Sequence, residues 1–528
     1  MVSNPILLST LLFLLLTVKY GVEAQKDPHF TEGRQSIVHL FEWKFNNIAD
    51  ECERFLGPYK YAGVQTSPVT ENVLQLTPFR PWSERYTPVS YQFTTRSGNE
   101  SELASMIQRC NAVGVRIYVD VVLNHMSGRS SCCIGTGGSS FDPATKSYPG
   151  VPYTAEDFNG HGDGLECESD SGLIDDYQDV TQIKNCELDT LRDLNQKKAS
   201  VQNKIVEFLN KLIGFGVAGF RVDASKYMWV QDLEVIFSRL DNLSTSAGFP
   251  ENAKPFIVME VWDLAFAGGT DPVHANEYHH LGRTTEFQYG MFLGDVLRGF
   301  TPLKNLWNFG EPWGMYASEN VLVFVDNHDN QRYQGFYDTN ILTFRNGGLY
   351  RMAQGFAQAW PFGLKRVMSS YYWEPDWQDG KDRNNWMGPP HDDDGNTLDV
   401  PINNDLTCGG GWICEHRWRE IFNMVSFGNV VHGTPVTNWW DNGNNQIAFC
   451  RGNKGFVAMN NEQNVPMDEF LMTCLPAGDY CDVISGNVYN GTCSGKTIRV
   501  ALSGSAEIYI PHTDETRMVA IHVEAKLP

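Results

Sequence analysis

Short apolar runs alternate with helical patterns from about Gln35 to Phe427. The segments that begin at Ser36 (SIVHLF), Gly63 (GVQTSP), Val115 (VRIYVDVVL), Val217 (VAGFRVD), Phe256 (FIVMEVW) and Val321 (VLVFVD) are largely continuous apolar stretches. Such stretches read as strands buried on both faces of a parallel sheet. Between them, Glu102–Val113 and Val201–Phe215 carry apolar residues at helical spacing and each runs into a glycine, Gly114 and Gly216. Strand–helix alternation over so long a span predicts an α/β fold with a parallel sheet, and eight such units close into a (β/α)8 barrel.

Two regions break the rhythm. Residues 126 to about 190 are rich in Gly, Ser, Asp and Cys with little periodicity, and an irregular insert of that length is usually functional or a small domain. From about 435 onward, runs at Ile447 (IAFCRG), Gly455 (GFVAMNN), Tyr480 (YCDVISG), Thr497 (TIRVAL) and Ala506 (AEIYI) are separated by Asn/Gly turns and predict an all-β appendage. The expected organisation is a leader at 1–24, a barrel at 25–123 and 194–434, an insert at 124–193 and a β domain at 435–528.

Composition narrows the function classes. The chain has 528 residues, 42% hydrophobic and 20% charged, enough apolar material for a sizeable core. Asp+Glu number 63 against 41 Lys+Arg, a net charge of −22, which argues against non-specific binding of nucleic acid or anionic membrane. An uncharged or cationic partner fits better. The apolar run Pro5–Val18 is shorter than the roughly 20 residues of a membrane span, and Val22-Glu23-Ala24 offers small residues for signal peptidase. A secreted protein is therefore expected, and its 12 cysteines are expected to form disulfides. Cys408–Cys414 and Cys481–Cys493 are spaced as local staples, whereas Cys132 and Cys133 have no assignable partners. Sequons occur at Asn99, Asn242 and Asn490.

The predicted strands end in polar clusters: Asp120 to His125, Arg221 to Tyr227, Glu260 to Asp263, and Asp326 to Asp329. In a parallel barrel such ends meet on one rim, where active sites lie. Carboxylates crowded together acquire different pKa values, one ionised as nucleophile and one protonated as acid, which is the equipment of a retaining glycosidase. The plainer alternative makes Asp223 and Asp329 helix N-caps. Four clusters of this kind in one chain argue against caps alone.

These four segments resemble the four signature regions of α-amylases. The flanks are similar to animal α-amylases in particular: Ile37 (IVHLFEWKF), Pro78 (PFRPWSERYTPVSY), Gly114 (GVRIYVD), Val325 (VDNHDNQR), Arg366 (RVMSSY), Cys414 (CEHRWREI) and Gly478 (GDYCDVISG). The resemblance covers nearly all of residues 25–527. It implies a (β/α)8 TIM barrel, an irregular insert domain after strand three and a C-terminal Greek-key β-sandwich. It also implies a monomeric endo-acting enzyme cleaving α-1,4-glucosidic bonds of starch, glycogen and malto-oligosaccharides with retention.

By match to the family motif, Asp223 is the nucleophile, Glu260 the acid/base and Asp329 the stabiliser of the oxocarbenium-like transition state. His125 and His328 would hydrogen-bond the sugar, Lys226 and Tyr227 would touch the leaving-group side, and Trp82 and Tyr86 would be stacking platforms. Asp120 more naturally orients the site than reacts. The family implies Ca2+, with Asn124 and Asp193 as side-chain ligands and backbone carbonyls at Lys184 and Tyr227. It also implies Cl−, on Arg221, Asn327 and Arg366, where an anion near Glu260 disfavours its ionised form. The alternative for these arginines is pairing with buried carboxylates. Family disulfides find matches at Cys52–Cys110, Cys167–Cys186, Cys408–Cys414 and Cys481–Cys493, and Cys450 with Cys474 would be an additional staple. Ser83 and Gln334 depart from the family pattern, which motivates a second reading, an amylase-related enzyme with specificity shifted to short oligosaccharides or transglycosylation.

Overall fold

The computed structural model describes residues 25–128, 134–263, 271–332 and 340–528. The leader expected at 1–24, the pair Cys132 and Cys133, and Gln334 lie outside the described residues. Eight strands have the order of a closed barrel: β1 (Ser36–Leu40), β2 (Gly63–Thr66), β3 (Arg116–Val122), β4 (Gly219–Asp223), β5 (Phe256–Met259), β6 (Arg283–Glu286), β7 (Val321–Val323) and β8 (Leu364–Ser369). Sequence neighbours are sheet neighbours throughout, and β8 returns to β1. The registers of β1 with β8, β3 with β4, β4 with β5, β5 with β6, and β7 with β8 are all parallel.

The chain divides into two compact units. One comprises residues 65–285 with 25–30 and 44–49; the other comprises 286–528 with 31–43 and 50–64. In the first, every residue of β3 is buried, including the two charged positions, Arg116 and Asp120, in its otherwise apolar run. The helix Ala199–Phe215 buries Val201, Ile205, Phe208, Leu209 and Leu212 and stops at Gly216, whose φ of 100° is open to glycine at little cost. The helix Glu100–Ala112 starts on a capping box: Asn99 accepts from the N–H groups of Ser101 and Glu102, and the Glu102 carboxylate accepts from the Asn99 N–H. Among its described residues the insert has little regular structure. Its ends are tied by an antiparallel pairing of 125–126 with 192–193, and Cys167–Cys186 staples its middle.

In the second unit, the C-terminal strands β9 (Val436–Asp441), β10 (Gln446–Arg451), β11 (Gly455–Asn460) and β16 (Met518–His522) form one antiparallel sheet. β12 (Met467–Met472) pairs with β15 (Ser505–Ile510), and β13 (Gly478–Cys481) pairs with β14 (Thr497–Val500). Alternation puts Phe456, Ala458, Ile508, Ile510, Val519 and Ile521 in one core, each large apolar side chain contributing about 1.5–3 kcal/mol. Cys408–Cys414, Cys481–Cys493 and Cys450–Cys474 are bonded, and Cys52 and Cys110 are also in disulfides.

Candidate active site

Asp223 is the last residue of β4, and strand alternation puts Arg221 on the same face. Arg221 is only 2% exposed, and a guanidinium so buried needs counter-charge. Its Nη1 donates to Asp120 Oδ1 at 2.7 Å, to Asp120 Oδ2 at 2.8 Å and to Asp223 Oδ1 at 2.8 Å. Its Nη2 pairs with Glu260 Oε1 at 2.8 Å. The register explains this convergence. Arg221 lies opposite Asp120 on β3 and Val258 on β5, so Glu260, two residues past Val258, faces the same side. The second Glu260 oxygen accepts from the N–H of Ala224, next to Asp223, at 3.0 Å.

Burial works against the charge on Arg221, but Asp120, Glu260 and Asp223 outweigh it and hold the guanidinium protonated. Burial pushes the Asp120 carboxyl up, with Arg221 opposing. Asp120 is fully enclosed and also accepts from the Tyr86 hydroxyl at 3.0 Å, a geometry for orienting rather than reacting.

Trp82 and Tyr86 share the short 3-10 turn Trp82–Tyr86, with rings 5.9 Å apart at 73°. Trp82 keeps only 9% exposure, while Tyr86 is half-buried. His125 Nε2 lies 3.0 Å from the Tyr86 carbonyl, which can only accept, so this nitrogen carries the proton. Burial pulls the His125 pKa down to about 4, and the ring is neutral at physiological pH. Lys226 donates to the Trp262 carbonyl at 2.9 Å and pairs with Asp271, a residue no sequence motif had marked. Tyr227 is half-buried beside it.

In the second unit, Asn327 Oδ1 accepts from the N–H of Asp329 at 3.2 Å and of Asn330 at 2.8 Å, closing the turn after β7. Asp329 Oδ2 is 3.4 Å from Asn327 Nδ2 and 3.3 Å from His328 Nε2. Asn327 therefore caps this turn, and the Asp329 carboxylate lies between the Asn327 amide and the His328 ring. At the other aspartate, the turn after β4 has Ala224 at its cap position, and Asp223 is held by Arg221 instead. His328 stacks on Phe41 at 5.0 Å. Arg366 on β8 is 4% exposed, with its guanidinium carbon 4.5 Å from the Phe324 ring centre. Burial pushes the nearby Asp326 carboxyl up to about 7, against hydrogen bonds from Gln331 and Tyr350 and the charge of Arg366.

The expected calcium ligands can be tested on this geometry. Asn124 and Asp193 are each 1% exposed, and the Oδ1 atoms of both are buried without a hydrogen-bond partner. Two orphaned oxygens at the paired ends of one insert are costly unless a cation satisfies them. The other Asp193 oxygen accepts from Asn159 Nδ2 at 2.7 Å, a partner that sequence motifs had not indicated. Lys184 sits in the last turn of the helix Val180–Asn185, where carbonyls lack intrahelical donors, and Tyr227 ends the turn Ser225–Tyr227. The buried Lys184 ammonium donates to the Met228 carbonyl at 2.9 Å and to the Tyr278 hydroxyl, joining the two segments. All-oxygen donors with a single carboxylate fit calcium.

Comparison with known proteins agrees with these features. The family described as "Alpha amylase, catalytic domain" matches residues 63–255, and "Alpha amylase, C-terminal all-beta domain" matches residues 437–524. An α-amylase of Oryzias latipes is 51% identical over 526 residues, 98% of this chain and 100% of the relative. The pancreatic α-amylase of Homo sapiens is 51% identical over 519 residues, 98% of this chain and 99% of the relative. The crystal structure of α-amylase I from Eisenia fetida superposes with a TM-score of 0.88 at 46% identity, covering 94% of this chain and 99% of the other. A mutant of that Eisenia fetida enzyme has been crystallised with maltohexaose.

Proposed function

The chain belongs to the animal α-amylase family of glycoside hydrolases, and on that premise we propose that it hydrolyses internal α-1,4-glucosidic bonds of starch and glycogen with retention of configuration. The observation that carries this reading is the bridging of Asp223 and Glu260 by a single guanidinium. Two carboxylates held on the two nitrogens of one guanidinium sit near each other, which supports covalent retention, a mechanism that uses a spacing of about 5 Å.

Asp223 attacks the anomeric carbon as a carboxylate while Glu260 delivers its proton to the departing glycosidic oxygen. In the second half, Glu260 takes a proton from water, which displaces Asp223 from the glycosyl-enzyme. Arg221 orients both groups, and Asp120, anchored by Tyr86, orients Arg221. His125 is neutral and can hydrogen-bond a sugar hydroxyl without adding charge. Asp329, flanked by His328, is assigned to the positive charge that develops on the sugar ring, and Trp82, Tyr86, Lys226 and Tyr227 to substrate contacts.

Calcium is assigned to Asn124, Asp193 and the carbonyls of Lys184 and Tyr227, where it would satisfy two buried oxygens and pin the insert. Chloride is assigned to Arg221, Asn327 and Arg366. In this structure the Arg221 guanidinium is paired with Asp120, Asp223 and Glu260, the alternative for this arginine, whereas Arg366 is buried near Asp326, whose carboxyl burial raises to about 7. Bound there, chloride would disfavour ionised Glu260 between turnovers. Secretion is supported by the disulfides and by the apolar amino-terminal run; among the described residues no helix is long and apolar enough to cross a membrane. We assign it as a monomer.

The test is the time course of products from soluble starch. Wild type should release a spread of α-configured malto-oligosaccharides early, and Asp223→Asn should lose activity by about 10⁴-fold or more. Turnover near wild type in that variant refutes the nucleophile assignment. Products limited to glucose units removed from chain ends refute endo-action.

A further inference from the structure

Basic side chains gather without counter-charge at one place in the second unit. Three segments meet there: 359–366, which runs into β8; 431–436, which follows the helix Arg419–Val431; and the turn 451–455 between β10 and β11. They carry Lys365, His432, Arg451 and Lys454. None of the three contains an Asp or Glu, although the chain as a whole has 63 acidic residues against 41 Lys and Arg. Arg366 follows Lys365 on the strand, but alternation turns it to the opposite face, against Phe324.

Hydrogen bonds hold these segments together. The Gly452 N–H donates to the Pro435 carbonyl at 2.9 Å, and the Lys454 N–H donates to the Arg451 carbonyl at 3.1 Å, closing the turn. Arg451 is buried, and its guanidinium donates to carbonyls: Val431 at 3.3 Å, Thr434 at 2.7 Å, and Ala359 at the end of the helix Gly347–Ala359. Carbonyls at helix C-termini suit a cation, and here Arg451 takes them. The Lys365 ammonium finds no acceptor among the described residues. Lys365 is half-buried, while His432 and Lys454 are exposed. Burial pulls the Lys365 pKa down to about 7, and the charge of Arg451 acts in the same direction. Burial also lowers the pKa of His432, helped by Lys365, Arg451 and Lys454. No carboxylate opposes these effects. Four bases brought together without an acid are costly unless an anion completes them.

We propose that Lys365, His432, Arg451 and Lys454 form a binding site for a small dianionic oxyanion of the phosphate and sulfate class. Such a group offers several acceptor oxygens to donors that arrive from different elements, and charge-assisted bonds to it are stronger than bonds between neutral groups. A lysine ammonium meets it as a compact point charge. Lys365 is the main ligand, because it is half-buried and has no acceptor of its own. Lys454 and His432 close on the anion from the solvent side, and Arg451 supplies charge from beneath. A neutral sugar would leave these charges unbalanced. The bound ion ties β8 to the 431–436 segment and to the β10–β11 turn, and so fastens the C-terminal sheet to a barrel strand of the same unit.

The experiment is titration calorimetry with sodium sulfate and with glycerol 2-phosphate, in buffer replete with calcium and chloride, on wild type, Lys365→Met and Lys454→Ala. Wild type should bind one equivalent with a Kd of about 1 mM or tighter. Tighter sulfate points to a free ion and tighter glycerol phosphate to an esterified one, and either result supports the site. Loss of a charge-assisted hydrogen bond should weaken binding about tenfold or more in Lys365→Met and about three- to tenfold in Lys454→Ala. Without either anion, Lys365→Met should melt no lower than wild type, because the repulsion among the bases is relieved, and it should gain less when sulfate is added. A lower melting point with unaltered affinity would make Lys365 merely structural and overturns the proposal. Absence of saturable binding in wild type, or equal affinity in all three proteins, also overturns it. Should Lys365→Met fail to fold, unchanged affinity in Lys454→Ala, whose side chain is exposed, overturns it alone.

Discussion

Removal of calcium offers the sharpest check on the tie between insert and barrel. Without a cation, Asn124 Oδ1 and Asp193 Oδ1 are buried acceptors with no donor, each costing about 1–3 kcal/mol. A bound ion at a thousandfold over its Kd contributes about 4 kcal/mol, which matches that deficit. At about 2 cal/mol/K per residue, a cooperative unit of roughly 400 residues converts 4 kcal/mol into a melting shift of about 5 °C. Scanning calorimetry of chelator-stripped protein, before and after calcium is restored, should show this rise. Asp193→Asn should lose most of it. In the absence of calcium the same variant should melt no lower than stripped wild type, because an amide there is less costly than an uncompensated buried carboxylate. A merely structural Asp193 would give the opposite sign. Equal melting with and without calcium in wild type, or a full calcium shift in Asp193→Asn, refutes the assignment.

Two further predictions concern ionisable groups. Starch hydrolysis in chloride-free buffer should fall by roughly tenfold or more and recover when chloride is added, whereas Arg366→Ala should show no chloride response; equal rates in both buffers remove chloride from the account. Glu51 in the second unit is buried; burial raises its pKa, but hydrogen bonds and charge from His416 and Arg417 outweigh this and hold it below the ordinary value. A depressed carboxyl contributes stability that is present above the unfolded pKa of 4.5 and lost as pH falls through the folded value. Glu51→Gln should therefore cost about 3–5 kcal/mol at pH 7 by leaving Arg417 uncompensated, and clearly less at pH 3. Urea unfolding at the two pH values reads this, and a cost independent of pH would contradict it.

Much of the architecture was legible along the chain. Six barrel strands stand where largely apolar runs predict them, because a strand buried on both faces is apolar at most of its positions. The two that escaped this pattern are β6, with the sequence RTTE, and β8, LKRVMS. Thr284, Thr285 and Glu286 are buried although polar, and they are satisfied by partners that no local pattern reveals: the Thr284 hydroxyl by His279, the Thr285 hydroxyl by the Val261 N–H, and Glu286 by the N–H groups of Gln288 and Tyr316. In the β domain, β9 was hidden by its bulge and β12 by its exposed charged face.

The chemistry divides in the same way. Residue type and spacing marked four polar clusters at strand ends, which interrupt an otherwise apolar pattern, and the resemblance to α-amylases singled out Asp223, Glu260 and Asp329 within them. Only the fold decided that one buried guanidinium serves Asp120, Asp223 and Glu260 together, that Asn327 rather than Asp329 caps its turn, and that Asn124 and Asp193 each keep an oxygen without a donor. Those outcomes depend on register between strands remote in sequence and on which atoms water cannot reach, and neither quantity is written in the order of residues.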